Sequence, residues 1–442
     1  MKKQTKLLLV YPGDFFSPGW GRHLRLKPHL VYIFSLLKKM YTVTVLDVEN
    51  EYARPESLAD VQGLKAKIAE RIESVSADVV AISCWSSLNY LSSRFIAEQV
   101  KQRRPETRVV VGGYHPTFVP EDFIYENNPF DHVIAGEINN FFKEVDPENQ
   151  TEIQTYDIQP DYASYPYFQG QKTVGIFLGV GCPFQCRYCM EYKKKWQRLS
   201  VAKAVDLIEH LNRNLSIKYI AIFDACFGLE KKWRRALFSA LIERRLDCYF
   251  WLETRIDLID AIDLELMSRL NVKVDFGVDA FSETMLGIMN KTKQPAAYLE
   301  KCLDISSICN RLKILHDIFL IFNHPGESRQ TYAEFKHFFS SRVMPLLADG
   351  YLRIKYQRFS YFPGSYVFNH RQNYTDKYGF QVNYPEWWKR EEDHYQASRA
   401  VIPSVDSDGN PFFVPLKETA AMVKRFNRRA KEPSLWERLH AF

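Results

Sequence analysis

The chain has 442 residues, 46% hydrophobic and 25% charged, a balance that excludes wholesale disorder and allows two or three packed domains. Its 59 Lys plus Arg against 53 Asp plus Glu leave a formal charge of +6, which suits an anionic ligand without requiring nucleic acid. Eight cysteines are too sparse for a disulfide scaffold, the apolar run after the opening lysines is too short for a signal peptide, and no run reaches the roughly 18 to 20 apolar residues that cross a bilayer, so the chain reads as cytoplasmic.

Residues 1–145 alternate short apolar runs with amphipathic segments. Strands are predicted at Lys6–Tyr11, Thr42–Val48, Asp78–Ser83, Arg108–Val111 and His132–Ala135, and helices at Pro28–Lys39, Leu58–Glu73 and Leu88–Lys101. Apolar strands separated by helices imply a parallel sheet covered on both faces, a Rossmann-like α/β domain. Such a sheet binds ligands at the carboxyl ends of its strands, here the loops Tyr11–Arg22, Cys84–Asn89, Gly112–Thr117 and Gly136–Asn139. The first loop lacks G-x-G-x-x-G and no G-x-x-x-x-G-K-[ST] occurs, so a dinucleotide or nucleoside triphosphate is not the expected ligand. Gly112 and Gly113 permit close backbone approach to something bulky.

Residues 146–172, rich in Pro, Asp, Gln and Tyr without a durable period, read as a linker. Residues 173–345 alternate again, with strands predicted at Val174–Leu178, Tyr219–Phe223, Asp247–Leu252, Lys273–Gly277 and Lys313–Phe319. Between them lie helices such as Ala202–Leu211, Glu230–Arg244 and Asp263–Arg269. Five or six βα units are too few for a complete eight-unit barrel and fit a partial (β/α)6 TIM-like barrel. Residues 346–442 form a third region, dense in aromatics between Tyr351 and Tyr395. Flat side chains with polar tips can lid a substrate cavity, or fill a small core of their own.

Chemistry concentrates in the stretch VGIFLGVGCPFQCRYCMEY, where Cys182, Cys186 and Cys189 follow a strand at spacings of four and three. Thiolates are soft ligands suited to iron–sulfur clusters, and three of them leave one iron of a [4Fe-4S] cube open. A structural zinc knuckle in a scaffold protein is the rival. No second C-x2-C pair follows, however, and the triplet sits at the reactive end of a barrel strand. Cys84, Cys226, Cys248, Cys302 and Cys309 are scattered through apolar contexts and read as small core residues.

The sequence C182-P-F-Q-C186-R-Y188-C189 resembles the C-x3-C-x2-C signature of the radical S-adenosylmethionine (SAM) enzymes. The resemblance implies that the open iron chelates SAM, whose reductive cleavage yields a 5′-deoxyadenosyl radical, with Tyr188 packing beside the cluster. It extends to Asp224 in AIFDACFG, Glu253 and Arg255 in WLETRID, Asp279 in VDFGVDA, the Met289-Asn290-Lys291 segment and the Pro325-Gly326-Glu327 turn. Asp224, Glu253, Arg255 and Asp279 are thereby expected at the cofactor; the competing reading makes them helix caps or ion-pair partners.

Residues 5–145 resemble the cobalamin-binding domain of one branch of these enzymes. Its proline-led first helix, the Trp85 and Ser86 loop, GGYHPTFVPEDF with Gly112, Gly113, His115 and Thr117, and AGEINNFF with Gly136 and Glu137 are the candidate cobalamin contacts. No D-x-H-x-x-G motif supplies an axial histidine, and His115 reads as a loop residue that hydrogen-bonds rather than ligates. The resemblance implies methyl transfer from methylcobalamin to an unactivated carbon of a small metabolite or biosynthetic intermediate after radical hydrogen abstraction. Rearrangement, cyclisation or oxidation with the same cofactors is the alternative. An external electron donor such as flavodoxin or ferredoxin is the expected partner, and nucleic acid is disfavoured because no RNA-binding module accompanies the basic tail.

Overall fold

The computed structural model describes residues 5–18, 26–148, 153–191 and 194–431. Residues 19–22 of the first strand-end loop, 149–152 of the linker, and the tail beyond 431 lie outside them. The chain forms two units. Unit 1 takes residues 1–170 with 362–364 and 384–400, and unit 2 takes the remainder.

Unit 1 is built on a parallel sheet of β1 (Lys6–Tyr11), β2 (Thr42–Asp47), β3 (Val79–Ser83), β4 (Arg108–Gly112) and β5 (His132–Ile134), in the order β2-β1-β3-β4-β5. Leu7, Leu8, Leu9 and Val10 are all buried, as are Val79 to Ile82 and Val109 to Val111, so both faces of the central strands are covered. Helices α1 (Pro28–Leu37), α2 (Val61–Ser74) and α3 (Tyr90–Arg103) contribute Leu30, Val31, Ile68, Ile96 and Ala97 to the packing. Each such aliphatic side chain larger than alanine stabilises by roughly 1.5–3 kcal/mol on burial. Proline at the first turn of α1 starts the helix where an N–H has no partner. Strand order reverses between β1 and β3, which places a ligand crevice at their carboxyl ends.

Unit 2 holds six parallel strands in chain order, β6 (Thr173–Ile176), β7 (Tyr219–Ile222), β8 (Tyr249–Thr254), β9 (Asn271–Asp279), β10 (Leu315–Phe322) and β11 (Leu352–Arg358). The edges are β6 and β11, and among the described strands no ladder joins them. The barrel-like α/β core is therefore an open run of six βα-type strands. β11 falls in the segment that the aromatic composition set apart as a separate carboxyl-terminal region. Its LRIKYQR alternation is that of a strand with one buried face.

The two faces of this sheet differ. Ile220, Ile222, Phe250, Leu252, Val272, Val274, Phe276, Ile318, Leu320, Leu352 and Ile354 lie on one face and are buried. The packing around them draws on Leu237 and Phe238 of α4 (Lys231–Arg244), Leu264 and Met267 of α5 (Ala261–Ser268), and Leu299 and Leu303 of α6 (Pro295–Leu312). Side chains alternate along a strand, so the intervening residues share the opposite face; they include Phe223, Trp251, Glu253, Lys273, Asp275, Asp317, Arg353 and Lys355.

The aromatics beyond β11 pack on one another. In unit 2, Phe359, Tyr361 and Tyr374 surround Phe380, and in unit 1 Trp387 meets Phe362, Trp388 and His394. Among the described residues, no helix is long and apolar enough to cross a membrane.

Candidate active site

The cysteine loop follows β6. Gly181 bends it at φ +79°, where an added Cβ would lie 2.2 Å from the Lys195 carbonyl oxygen, so only glycine fits. Cys182 and Cys189 are partly buried and Cys186 is buried. The Cys186 sulfur accepts from Arg255 Nη1 at 3.7 Å, and the Cys189 sulfur accepts from the Glu191 N–H at 3.4 Å. The thiol of Cys226 beside Cys182 is the main influence that brings Cys182 down to about 7, whereas burial pushes Cys189 up to about 12. Among the described residues, no three His, Cys, Asp or Glu side chains gather around one point that could hold a metal ion. Three thiols on one loop, two of them with donors to sulfur, are the soft donor set that an iron–sulfur cluster takes.

The loop is clamped by the segment after β9. Arg187 donates from its backbone N–H to Met289 O at 2.9 Å and from Nη1 to Ile288 O at 3.1 Å, and Asn290 Nδ2 donates to Gln185 O at 2.9 Å. Arg255 joins the two segments. Its Nη2 donates to Lys291 O at 2.8 Å, its fork binds Asp257 at 3.0 and 2.9 Å, and its guanidinium lies 3.9 Å from the centre of the Phe184 ring. Asp279, at φ +75° on a register shift of β9, accepts from the Tyr188 hydroxyl and pairs with Lys291 Nζ at 2.5 Å. Although burial alone would discharge Lys291, Asp279 holds its pKa above the usual value. Arg255, Tyr188 and Asp279 thus meet around the cysteine loop, with Lys291 as a partner that the Met-Asn-Lys segment signalled and the residue-by-residue reading did not name.

Asp224 is buried and stands apart in role. Its Oδ1 accepts the N–H groups of Leu178 and Gly179 at 2.8 and 2.9 Å, fixing the exit of β6, while burial raises it to about 7. Glu253 sits on the polar face of the sheet. Burial among surrounding protein and the nearby Asp275 carboxylate push it up to about 7, while solvent still reaches its side chain.

Next to Glu253 the polar face carries an ion network that residue-by-residue reading missed. Lys273 Nζ lies 2.9 Å from both Asp275 Oδ1 and Asp317 Oδ2, Arg353 Nε 3.2 Å from Asp317 Oδ1, and Lys355 Nζ 2.6 Å from Asp317 Oδ2. Trp251 Nε1 donates to Asp275 at 2.9 Å. The available signal was charge at every second strand position, in VKVDFG, LHDIF and LRIKY.

In unit 1 the strand-end loops form a rim. Gly113, at φ +125°, passes so close beneath the Cys84 carbonyl that a Cβ would lie 2.3 Å from its oxygen. Thr117 Oγ1 donates to Gly113 O at 2.6 Å and accepts from the Gly136 N–H at 2.9 Å, tying two loops together. Ala135, Gly136 and Glu137 are exposed. Trp85 stacks on His29 with ring centres 4.0 Å apart, and Ser86 caps the turn that follows by accepting from the Leu88 N–H at 3.2 Å. His115 is buried with both ring nitrogens engaged, Nδ1 with Ser87 Oγ at 2.9 Å and Nε2 with Asp122 at 3.1 Å. Trp388 Nε1 and Lys389 also bind Asp122, at 2.6 and 2.7 Å. A rim of small residues and backbone groups suits a wide flat ligand, and His115 serves that rim by fixing the loop from inside.

The B12 binding domain family matches residues 29–146, and the radical SAM superfamily matches residues 176–339. The chain is 23% identical over 343 residues to an uncharacterized methyltransferase of Pyrococcus horikoshii, covering 68% of this chain and 70% of that protein. It is 24% identical over 266 residues to the anaerobic magnesium-protoporphyrin IX monomethyl ester cyclase of Rubrivivax gelatinosus, 51% of this chain and 48% of the cyclase. The match therefore spans about half the length of the cyclase. In fold the chain is similar to the radical SAM methyltransferase TsrM of Kitasatospora setae, solved with tryptophan substrate and a SAM analogue (TM-score 0.65, 16% identity, 97% of this chain and 91% of that one). It is also similar to the cobalamin-dependent SAM radical enzyme OxsB (TM-score 0.59, 13% identity, 97% and 62%). With a B12-binding domain followed by a radical SAM domain, the chain belongs to the cobalamin-binding branch of the radical SAM enzymes.

Proposed function

We propose that the chain methylates an unactivated carbon of a small metabolite or biosynthetic intermediate. The observation that carries this reading is the clamped loop of Cys182, Cys186 and Cys189 in a chain that also has a B12-binding domain. A methyltransferase among its relatives and another among its fold neighbours favour the same chemistry. In this reading the three cysteines hold a [4Fe-4S] cluster. When bound, the cluster supplies the electron that cleaves SAM to a 5′-deoxyadenosyl radical, and cobalamin supplies the methyl group.

The chain's own residues bind and position. Arg255 fixes the loop by joining Cys186 to the Lys291 backbone, and with Lys291 it brings positive charge to the thiolates. Asp279 takes the Tyr188 hydroxyl, so Tyr188 would meet SAM through its backbone rather than its ring oxygen. Asp224 sets where the cysteine loop leaves β6. On unit 1, Trp85, Gly112, Gly113, Thr117, Gly136 and Glu137 would hold cobalamin, while Ser86 and His115 fix the loops that carry them. The electron comes from an external donor of the flavodoxin or ferredoxin kind.

The test is anaerobic reconstitution with iron, sulfide and hydroxocobalamin, followed by reduction with SAM carrying a labelled methyl group. About four irons and four sulfides, 5′-deoxyadenosine and label in the product are expected. The cyclase relatives favour a second reading, ring formation or oxidation without methyl transfer; 5′-deoxyadenosine with an unlabelled product would select it. Zinc in place of iron would overturn both.

A further inference from the structure

The polar face of the six-stranded sheet has one acidic group left over. Asp275 and Asp317 share Lys273, and Asp317 also holds Arg353 and Lys355. Glu253 lies beside Asp275 across the β8–β9 ladder, and among the described residues no hydrogen bond or ion pair reaches its carboxylate. Lys273 and Lys355 act on it only from a distance. Next to it, at the end of β7, Phe223 is 37% exposed, and its ring centre lies 5.3 Å from that of Trp251 at a tilt of 59°. A large apolar side chain thus lies open beside a carboxylate that only solvent meets, in a unit whose other sheet face is covered.

We propose that this face is the substrate site, and that Glu253 receives a protonated nitrogen carried by a flat ring that lies against Phe223 and Trp251. The claim rests on the reading of the chain as a radical enzyme and names its substrate class, an aromatic or heteroaromatic amine. Each alternative ligand leaves something unpaired. An anion at Glu253 meets the repulsion of Asp275 as well. A neutral apolar ring covers Phe223 but strips water from a carboxylate without replacing it. An ammonium completes the charge pairing of the face, and the Trp251 ring attracts the same cation over its π-face. SAM also carries an amino group, and the family resemblance put Glu253 among its contacts, so the experiment must separate cofactor from substrate.

The full-length chain, reconstituted anaerobically with iron and sulfide and saturated with SAM, is titrated calorimetrically with 2-phenylethylamine, 3-phenylpropionate and n-butylamine. The first is expected to bind at least about tenfold tighter than the other two, a difference of about 1.4 kcal/mol. Glu253→Gln is expected to remove that preference with the SAM dissociation constant unchanged, and Phe223→Ala to weaken the aromatic amine while leaving n-butylamine as it was. Equal binding of amine and acid, no binding of any probe, or a Glu253→Gln protein that loses SAM instead would each overturn the proposal. Assay of 5′-deoxyadenosine after dithionite is added to the same samples keeps the two readings apart. Its absence from the wild-type protein defeats the radical reading whatever the amine preference, and its presence without an amine preference defeats the recognition proposal alone.

Discussion

The two parallel sheets use the same architecture to different ends. In unit 1 the central strands are apolar on both faces, so nothing chemical lies within the sheet and every candidate contact is on the strand-end rim. In unit 2 one face is apolar and buried, while the other carries Trp251, Glu253, Lys273, Asp275, Asp317, Arg353 and Lys355. A sheet apolar on both faces presents a ligand with loops alone; a sheet with charged side chains on one face presents loops and strand side chains together. Unit 1 is therefore built to hold something at its edge, and unit 2 to surround something.

If chemistry in unit 2 begins at the cysteine loop, the largest effect comes from breaking that loop. Cys189→Ala is expected to drop 5′-deoxyadenosine formation to the level of a protein-free control and to release iron, while hydroxocobalamin binding by unit 1 persists. Metal analysis and product chromatography on one preparation check both halves. Retention of SAM cleavage by that variant would remove the triplet from the mechanism.

The polar face is sharpened next by removing the acid at its centre. Asp317 is buried against Lys273, Arg353 and Lys355, so Asp317→Ala leaves Lys273 buried with half its counter-charge. The expected loss is about 3–5 kcal/mol, read from denaturant unfolding of unit 2. A change below about 1 kcal/mol would mean that water already fills this face and that the pairs are screened like surface ones.

On the rim of unit 1 the corresponding test is steric. Gly113→Ala forces a Cβ onto the Cys84 carbonyl at φ +125°, a conformation essentially closed to other residues, and should cost about 3 kcal/mol. Cobalamin binding is expected to fall while SAM cleavage in unit 2 continues. Equal loss of both would show that the rim governs more than its own ligand.

The same contrast explains what could be read in advance. Uniform runs such as KLLLVY and VVAIS mark buried strands without any tertiary information, and a cysteine triplet at fixed spacing declares itself. The strand LRIKYQR was absorbed into an aromatic region because its alternation is short and its neighbours are Tyr and Phe. Asp279 and Glu253 look alike in sequence, each an acid at a strand end. Only the fold shows that one is paired with Lys291 and the other is not. Cys226, scattered by sequence, lies beside Cys182 because the end of β7 adjoins the exit of β6, and strand adjacency is not visible in spacing.

A third strand-end acid extends the comparison with a smaller effect. Glu327, in the Pro-Gly-Glu turn after β10, is buried and accepts the Asn323 N–H at 2.5 Å. Burial raises it from the usual glutamate value to about 8. A carboxyl whose folded pKa lies above its unfolded one binds its proton more tightly in the fold, so the protonated form stabilises at low pH. That contribution is whole below the unfolded value of about 4.3, declines as pH rises through the interval, and is gone once pH passes about 8. Glu327→Gln keeps the acceptor and cannot ionise. Its stability relative to wild type should therefore climb by about 2 kcal/mol between pH 5 and pH 8 and level off above, allowing for relaxation around the buried charge. Thermal melts of both proteins across that range check the sign. A flat difference would mean that the turn opens to water when Glu327 ionises, and the contrast between enclosed and open strand ends in unit 2 would then rest on Glu253 and Asp279 alone.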